Sequence, residues 1–308
     1  MNRRMVFRMV GRIIELEAVM LLLPLTVALI YGEWNIARAF LITALIAGAG
    51  GILMTVTFPP RDNVIFAKEG FMIVALAWLL LSAIGALPFV ISKEIPSFCD
   101  AFFETVSGFT TTGASILNNV ELLSHGNLFW RSTHWIGGMG VLVLIMAIIP
   151  PESGRSIHIF RAEMPGPIVG KLVPRIRQTA KILYLIYIAL TAAEVIMLLC
   201  GGMSLFESLV HSFGTAGTGG FGIKSDSIGG YSPYLQWVIA VFMLIFGVNF
   251  NLYYLILIGK VKSTLKSEEL WSYIGIVTVS SALIIINIRP LFDTAAEAVR
   301  HGVFQVSS

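Results

Sequence analysis

Thr110-Thr111-Thr112-Gly113 lies between two long apolar runs and returns as Gly217-Thr218-Gly219-Gly220, a displacement of 107 residues from Gly113 to Gly220. Ser97-x-x-Asp100 precedes the first segment and Ser204-x-x-Glu207 the second at the same displacement. Each has the form of a helix capping box. The unit that repeats is therefore a short capped helix followed by a Thr/Gly loop. Two such units set between hydrophobic spans suggest re-entrant loops of an ion-conducting pore.

Composition fixes the class around those loops. Hydrophobic residues make up 56% of the 308 and charged residues 13%, and the mean hydropathy is +0.83, far from soluble-domain usage. Crossing ~30 Å of hydrocarbon takes about 20 apolar residues as a helix. Seven stretches qualify: Ile13 to Tyr31, Ile36 to Phe58, Gly70 to Ile91, Leu128 to Pro150, Thr179 to Gly201, Pro233 to Ile258 and Leu270 to Ile288. Ser97 to Leu117 and Ser204 to Ile223 are too short and too rich in Gly and Thr to cross. The expected fold is an all-α polytopic membrane protein built from helix–pore loop–helix units.

Lys and Arg concentrate at alternate boundaries: Arg3, Arg4, Arg8 and Arg12; Arg61 and Lys68; Arg155, Arg161, Lys171, Arg175, Arg177 and Lys181; Lys260, Lys262 and Lys266. The other side keeps Arg38, Lys93, Arg131, Lys224, Arg289 and Arg300. By the positive-inside bias the N-terminus is cytoplasmic and both loops open outward. The net charge of +3 is then a topology signal, with no nucleic acid partner implied. A secretion signal is excluded at the start, since Glu15 and Glu17 interrupt the apolar run and a second span follows directly. Cys99 and Cys200 are too few for a disulfide framework or a metal site.

A monovalent cation surrenders its water only where several oxygens replace it together, and backbone carbonyls supply them when the chain is held extended and inward-pointing. Gly permits the unusual φ values this needs, Thr adds a hydroxyl, and the C-terminal end of the preceding short helix favours positive charge. Thr218-Gly219-Gly220-Phe221-Gly222 follows the Thr-x-Gly-aromatic-Gly order of potassium-channel filters; Thr111-Thr112-Gly113-Ala114-Ser115 keeps the Thr-x-Gly part. Gly217-x-Gly219-x-x-Gly222 matches a dinucleotide fingerprint by letter but lacks the βαβ context. Gly217-x4-Gly222 resembles a P-loop, yet Ile223 separates the glycine from Lys224. Facing spans carry no Ser/His, paired Asp or His-rich set, so an enzyme is not expected.

Ionisable groups inside the membrane are functional candidates, here Glu104, Glu194, Glu207 and His211. Glu104 and His211 share one repeat position, nine residues before the filter glycine, and are expected to hydrogen-bond loop backbone behind the filter. His134 and Trp135 are expected to be packing or interface residues, and Gly137-Gly138-x-Gly140 to let another helix approach closely.

Phe103-Glu104-x-Val106-Ser107 aligns loosely with Phe304-Gln305-x-Ser307-Ser308, a register that would place a third filter glycine at position 314. The expectation is a fragment whose pore is incomplete. Its parts read as 1–69, two extra N-terminal spans; 70–150, a first helix–pore–helix repeat; 151–178, a basic cytoplasmic loop; 179–258, a second repeat; and 259–308, the start of a third.

These motifs carry a resemblance. Phe102-Phe103-Glu104, Ser107-Gly108-x-Thr110-Thr111-Thr112-Gly113-Ala114, Trp135-x-Gly137-Gly138-Met139-Gly140, Arg161-Ala162-Glu163-Met164-Pro165-Gly166-Pro167, Pro174-Arg175-Ile176, His211-Ser212-Phe213 and Gly219-Gly220-Phe221 together resemble the N-terminal part of the TrkH-type membrane subunits of the Trk/Ktr superfamily of bacterial potassium uptake systems. The resemblance implies four helix–pore–helix units in a pseudo-fourfold ring and two additional N-terminal spans. It also implies homodimers in the bacterial inner membrane, gated by a cytosolic TrkA-type ring that binds NAD and ATP. The 151–181 loop is the docking candidate for that ring, or equally a contact for anionic membrane lipid. The family's intramembrane gating loop and its third and fourth filters would fall beyond Ser308. The implied function is uptake of potassium as the transported ion, with no organic cofactor, through a carbonyl-lined filter that maps here onto Thr110, Thr111, Thr112 and Gly113 and onto Gly217, Thr218, Gly219 and Gly220. The alternatives are a sodium or mixed-cation relative, or a non-conducting scaffold subunit.

Overall fold

The computed structural model describes residues 2–59, 67–138, 140 and 176–308. Among these the chain is helical, and it divides into two compact units, Met1–Lys181 and Ile182–Ser308. Most of the 151–178 loop lies outside the described residues, which resume in helix at Ile176.

The first unit opens with α1 (Arg3–Met20) and α2 (Leu22–Ile30), one apolar span of 28 residues, followed by α3 (Trp34–Thr57). α1 and α3 meet backbone to backbone at Gly11 and Gly51: a Cβ on Gly51 would stand 2.8 Å from the Gly11 carbonyl oxygen. Small residues allow such approach where no hydrophobic gain between helices is available in lipid. Beside this contact the Thr55 hydroxyl donates to Glu15 Oε1 at 2.7 Å, so one of the acids interrupting the first span is satisfied by its neighbour helix.

α4 (Ala67–Gly85) and α5 (Leu87–Ser92) form the third span, and α6 (Phe98–Phe109) is the first short helix. The fourth expected span does not begin as one helix. α7 (His125–Arg131) and α8 (His134–Gly138) are separated at Ser132–Thr133, and the remainder of the stretch to Pro150 lies outside the described residues. Two carboxylates from elsewhere hold the N-terminus of α7. Glu33 accepts from the His125 and Gly126 N–H groups at 2.8 and 3.0 Å, and Glu94 accepts from Ser124 N–H and Asn127 Nδ2 at 3.2 and 2.7 Å. Anions stabilise that end of a helix through its dipole and free donors.

The second unit contains most of α9 (Ile176–Cys200), then α10 (Leu205–Ala216), α11 (Pro233–Phe246), α12 (Phe250–Leu257), α13 (Val261–Leu265), α14 (Glu268–Ile288) and α15 (Ala295–Ser307). The sixth expected span, Pro233 to Ile258, is corrected here: its two halves are bent by 84°. Gly247 opens the break, and Asn249 restarts the helix by accepting from the Asn251 N–H at 2.9 Å. Two tyrosines bond carbonyls at the break. Tyr273 donates to Leu244 at 3.0 Å and Tyr253 to Ile245 at 2.6 Å. A bend inside hydrocarbon survives only with such substitutes for the lost ladder bonds. With this pair counted as one, six spans are long and apolar enough to cross a membrane among the described residues.

α15 is a third short helix, capped by Thr294, whose hydroxyl accepts from the Glu297 N–H at 3.2 Å. In the Phe103–Phe304 register this cap lies one helical turn farther upstream than Ser97 does, so the third short helix starts a turn earlier. α15 packs on α14, where a Cβ on Gly302 would stand 2.5 Å from Ile285 Cγ1.

Candidate functional site

Each Thr/Gly loop is built by the way its short helix starts and stops. Ser97 and Ser204 accept from the N–H three residues on, at 3.4 and 3.3 Å, and Glu207 returns the bond from the Ser204 N–H at 3.1 Å. The full capping box forms only in the second unit. Partial burial raises the Glu207 pKa, but the bonds from Ser204 and from the Tyr231 hydroxyl outweigh it and hold the carboxyl below its ordinary value.

At the other end the two helices stop identically. The Thr112 N–H reaches the Ser107 carbonyl at 2.9 Å and the Thr111 N–H reaches Gly108 at 3.1 Å. The Gly219 N–H reaches Gly214 at 2.9 Å and the Thr218 N–H reaches Thr215 at 2.8 Å. This is the Schellman termination, in which the residue after the cap takes left-handed φ and is usually Gly. Here that residue is Thr111 in one loop (φ 56°) and Thr218 in the other (φ 52°), a β-branched side chain where such a conformation is a strained outlier. Two residues later Gly113 (φ 74°) and Gly220 (φ 69°) are left-handed again. All eight predicted ligand residues therefore lie in two loops of one backbone design. Thr110 and Thr112 are exposed with their hydroxyls 2.7 Å apart, Gly217 is buried, and Gly220 is exposed.

Behind the first loop, Glu104 meets the expectation. Its carboxylate accepts from the Ile116 N–H at 3.1 Å and from the Ser115 hydroxyl at 3.0 Å. It also accepts from Arg131 Nε at 2.5 Å, and both charged side chains are almost wholly buried. Arg131 was read from the sequence only as an outer-side charge. Its place inside an apolar stretch was the available signal, because a charge there needs a partner.

His211 behind the second loop is placed differently from Glu104. Its ring stands edge-on to Tyr231, with centroids 5.4 Å apart, and its Nε2 has no hydrogen-bond partner among the described residues. The loop residue facing it is Gly222, at the repeat position of Ser115, which offers no hydroxyl. His134 is fully buried, in keeping with a packing role. Gly137 lies against the Phe109 carbonyl and Thr111, where a side chain would collide, as the glycine spacing suggested.

The sequence reading missed Glu17. It is buried beside Phe109 and Trp130 at a cavity of about 10 Å3, and neither carboxylate oxygen has a hydrogen-bond partner among the described residues. Trp130 Nε1 donates to the Gly85 carbonyl at 2.8 Å alongside it. In the second unit Glu194 is equally buried near Thr215, whose hydroxyl is committed to the His211 carbonyl at 2.9 Å. α6 and α10 thus each have a buried carboxyl near the C-terminal end, from α1 and from α9 respectively.

Residues 34–292 match the family model described as TrkH, cation transport protein. The Trk system potassium uptake protein TrkH of Salmonella typhimurium is 38% identical over 316 residues, covering 100% of this chain and 65% of that protein. The Trk system potassium uptake protein TrkG of Escherichia coli is 34% identical over 287 residues, covering 90% of this chain and 59% of its own length. The crystal structure of the potassium transporter TrkH from Vibrio parahaemolyticus superposes with a TM-score of 0.85 at 31% identity, covering 99% of this chain and 64% of that one. The chain therefore spans just under two thirds of the TrkH relatives it matches. On the family match, the all-helical architecture and the multiple apolar spans, this chain is a multi-pass membrane protein belonging to the TrkH cation transport family.

Proposed function

We propose that this chain forms part of a potassium uptake protein, with Thr110–Gly113 and Gly217–Gly220 lining the ion path through their backbone carbonyls. The observation that carries the reading is the shared termination of the two short helices. In each loop a left-handed Thr is followed by one residue with ordinary φ and then by a left-handed Gly. Alternating the sign of φ turns successive carbonyls toward one side, whereas a strand points them to opposite sides. Carbonyls gathered in this way replace water around a monovalent cation, and the helix C-termini just upstream add negative potential.

The wider reading rests on kinship with proteins named for potassium uptake. The whole protein would carry four such loops in a ring, work as a homodimer in the inner membrane with a cytoplasmic N-terminus, and be gated by a TrkA-type NAD- and ATP-binding ring docking near residues 151–178. Membrane lipid would surround its apolar faces. Conduction follows the electrochemical gradient without covalent chemistry.

A sodium or mixed-cation relative is the second reading, favoured by one observation: Phe221 backs the second loop as a buried residue, while the first has Ala114 in that position, exposed. The test is rubidium uptake by cells lacking their own potassium uptake and expressing the complete gene. Rubidium uptake that resists excess sodium supports the potassium reading, and uptake abolished by sodium supports the alternative. Absence of any cation uptake would favour a scaffold role.

A further inference from the structure

A groove of about 440 Å3 opens within the Ile182–Ser308 unit, between α9 and α12. Ile182, Leu185, Ile186 and Ala189 line it from α9 at the spacing of one helical stripe, and Tyr253 and Leu257 line it from α12. Its size falls in the ~300–1,000 Å3 range of ligand sites. The scaffold behind it is fixed by aromatic packing. Tyr187 is fully buried, with ring centroids 5.5 Å from Phe246 and 5.8 Å from Phe250. Tyr253 offers the groove only its ring, because its hydroxyl is already bound to the Ile245 carbonyl at 2.6 Å. Leu185 and Leu257 nevertheless stay 64% and 66% exposed.

Basic side chains gather at the Leu257 end. α12 finishes at Gly259 (φ 80°), and the Lys260 N–H bonds back to the Leu255 carbonyl at 2.9 Å, which pins Lys260 beside the groove mouth. Lys260, Lys262 and Lys266 are exposed, and among the described residues none of them forms an ion pair. Of the acids that follow, Glu269 is engaged by Asn249 Nδ2 at 3.0 Å, while Glu268 is exposed.

We propose that this groove binds an anionic glycerophospholipid, one acyl chain lying between α9 and α12 and the phosphate held by Lys260 and Lys262. An acyl chain needs no hydrogen bonds, and the walls present none, whereas an extended peptide laid there would leave its N–H and C=O groups unsatisfied in hydrocarbon. Lysines at the membrane surface select negative headgroups. The site is independent of the ion-path reading.

The test is native mass spectrometry of the purified chain released from micelles containing dioleoylphosphatidylglycerol or dioleoylphosphatidylcholine. The wild type should retain the anionic lipid in preference. Lys260→Gln with Lys262→Gln should lower that retention about tenfold without changing phosphatidylcholine. Ala189→Trp, filling the groove, should lower both lipids. The milder Leu185→Ser keeps the test valid if the Trp variant loses its helical circular dichroism. Equal retention of the two lipids by the wild type would overturn the headgroup assignment. Retention unchanged by both groove variants would overturn the site. A lipid-free dimer that dissociates in Ala189→Trp would show a second copy of the chain in the groove instead, and also overturn it.

Discussion

Thr111 and Thr218 occupy the same position in two helix endings 107 residues apart, with φ of 56° and 52° and the same pair of closing hydrogen bonds. A left-handed β-branched residue costs ~1–2 kcal/mol. The cost recurs in both loops even though the commoner Gly would have removed it. Strain kept twice at one position is consistent with a requirement for a stiff backbone and a Thr hydroxyl at the ion path.

Thr111→Gly or Thr218→Gly should therefore leave stability unchanged or raise it by up to ~1 kcal/mol, since relieved strain offsets the added freedom of the unfolded chain. Cation discrimination should fall in the complete protein. Thermal unfolding in detergent, paired with rubidium and sodium uptake, reads both effects. A loss of more than ~1 kcal/mol in either variant would contradict the strain argument.

Gly113→Ser and Gly220→Ser act on the second left-handed position of each loop. Each should weaken potassium over sodium selection in the complete protein, because a side chain there resists positive φ. Unchanged selectivity in both variants would remove the loops from the ion path.

Removing the Glu104 carboxylate strands Arg131 in the interior. Glu104→Gln should cost ~3–5 kcal/mol, the usual penalty for breaking a buried pair from one side. Glu104→Gln combined with Arg131→Met should recover much of it, measured by thermal unfolding of the single and double variants. A double variant as unstable as the single would mean that Ser115 and Ile116, and not the charge pair, dominate the site.

Glu17 presents the opposite case, an acid with nothing to lose. Glu17→Met keeps the side-chain length, removes two unpartnered oxygens and suits the apolar wall of Phe109 and Trp130. The melting temperature should rise. A fall of several degrees would show that the carboxyl has a partner that matters to folding.

Ser204→Ala removes the N-cap of α10 and should cost ~0.5–2 kcal/mol. The reciprocal Glu207 bonds give the cap a pH dependence. Because the folded carboxyl titrates below its ordinary value, its contribution is complete above the unfolded value of ~4.3 and is lost as pH falls through the lower folded value. The difference in stability between wild type and Glu207→Gln should therefore shrink below about pH 4. A constant difference across that range would exclude Glu207 from the cap.

Five of the seven spans, the short capped helices and the Thr/Gly loops were legible in the sequence because each depends on local physics. An apolar run of span length, a Ser followed three residues later by an acid, and Gly where φ turns positive all act within a few residues of chain. The 107-residue displacement then relates the two loops. The Glu104–Arg131 pair, the Glu33 and Glu94 anchors of α7, and the tyrosines that hold the bend at Gly247 join residues up to 93 positions apart. Local pattern carries no record of such partners. The sixth span shows the difference most directly. Its hydropathy reads as one continuous helix, and at the bend Tyr273 supplies a donor to the Leu244 carbonyl while Tyr253 adds one to the Ile245 carbonyl, which also accepts from the Val248 N–H at 3.2 Å. Sequence determined which described segments are apolar and long enough to span a membrane and which are short capped helices ending in a Thr/Gly loop, and tertiary structure decided where buried charges and broken backbone find their partners, since an unmet polar group in lipid must be answered from whichever helix packs beside it.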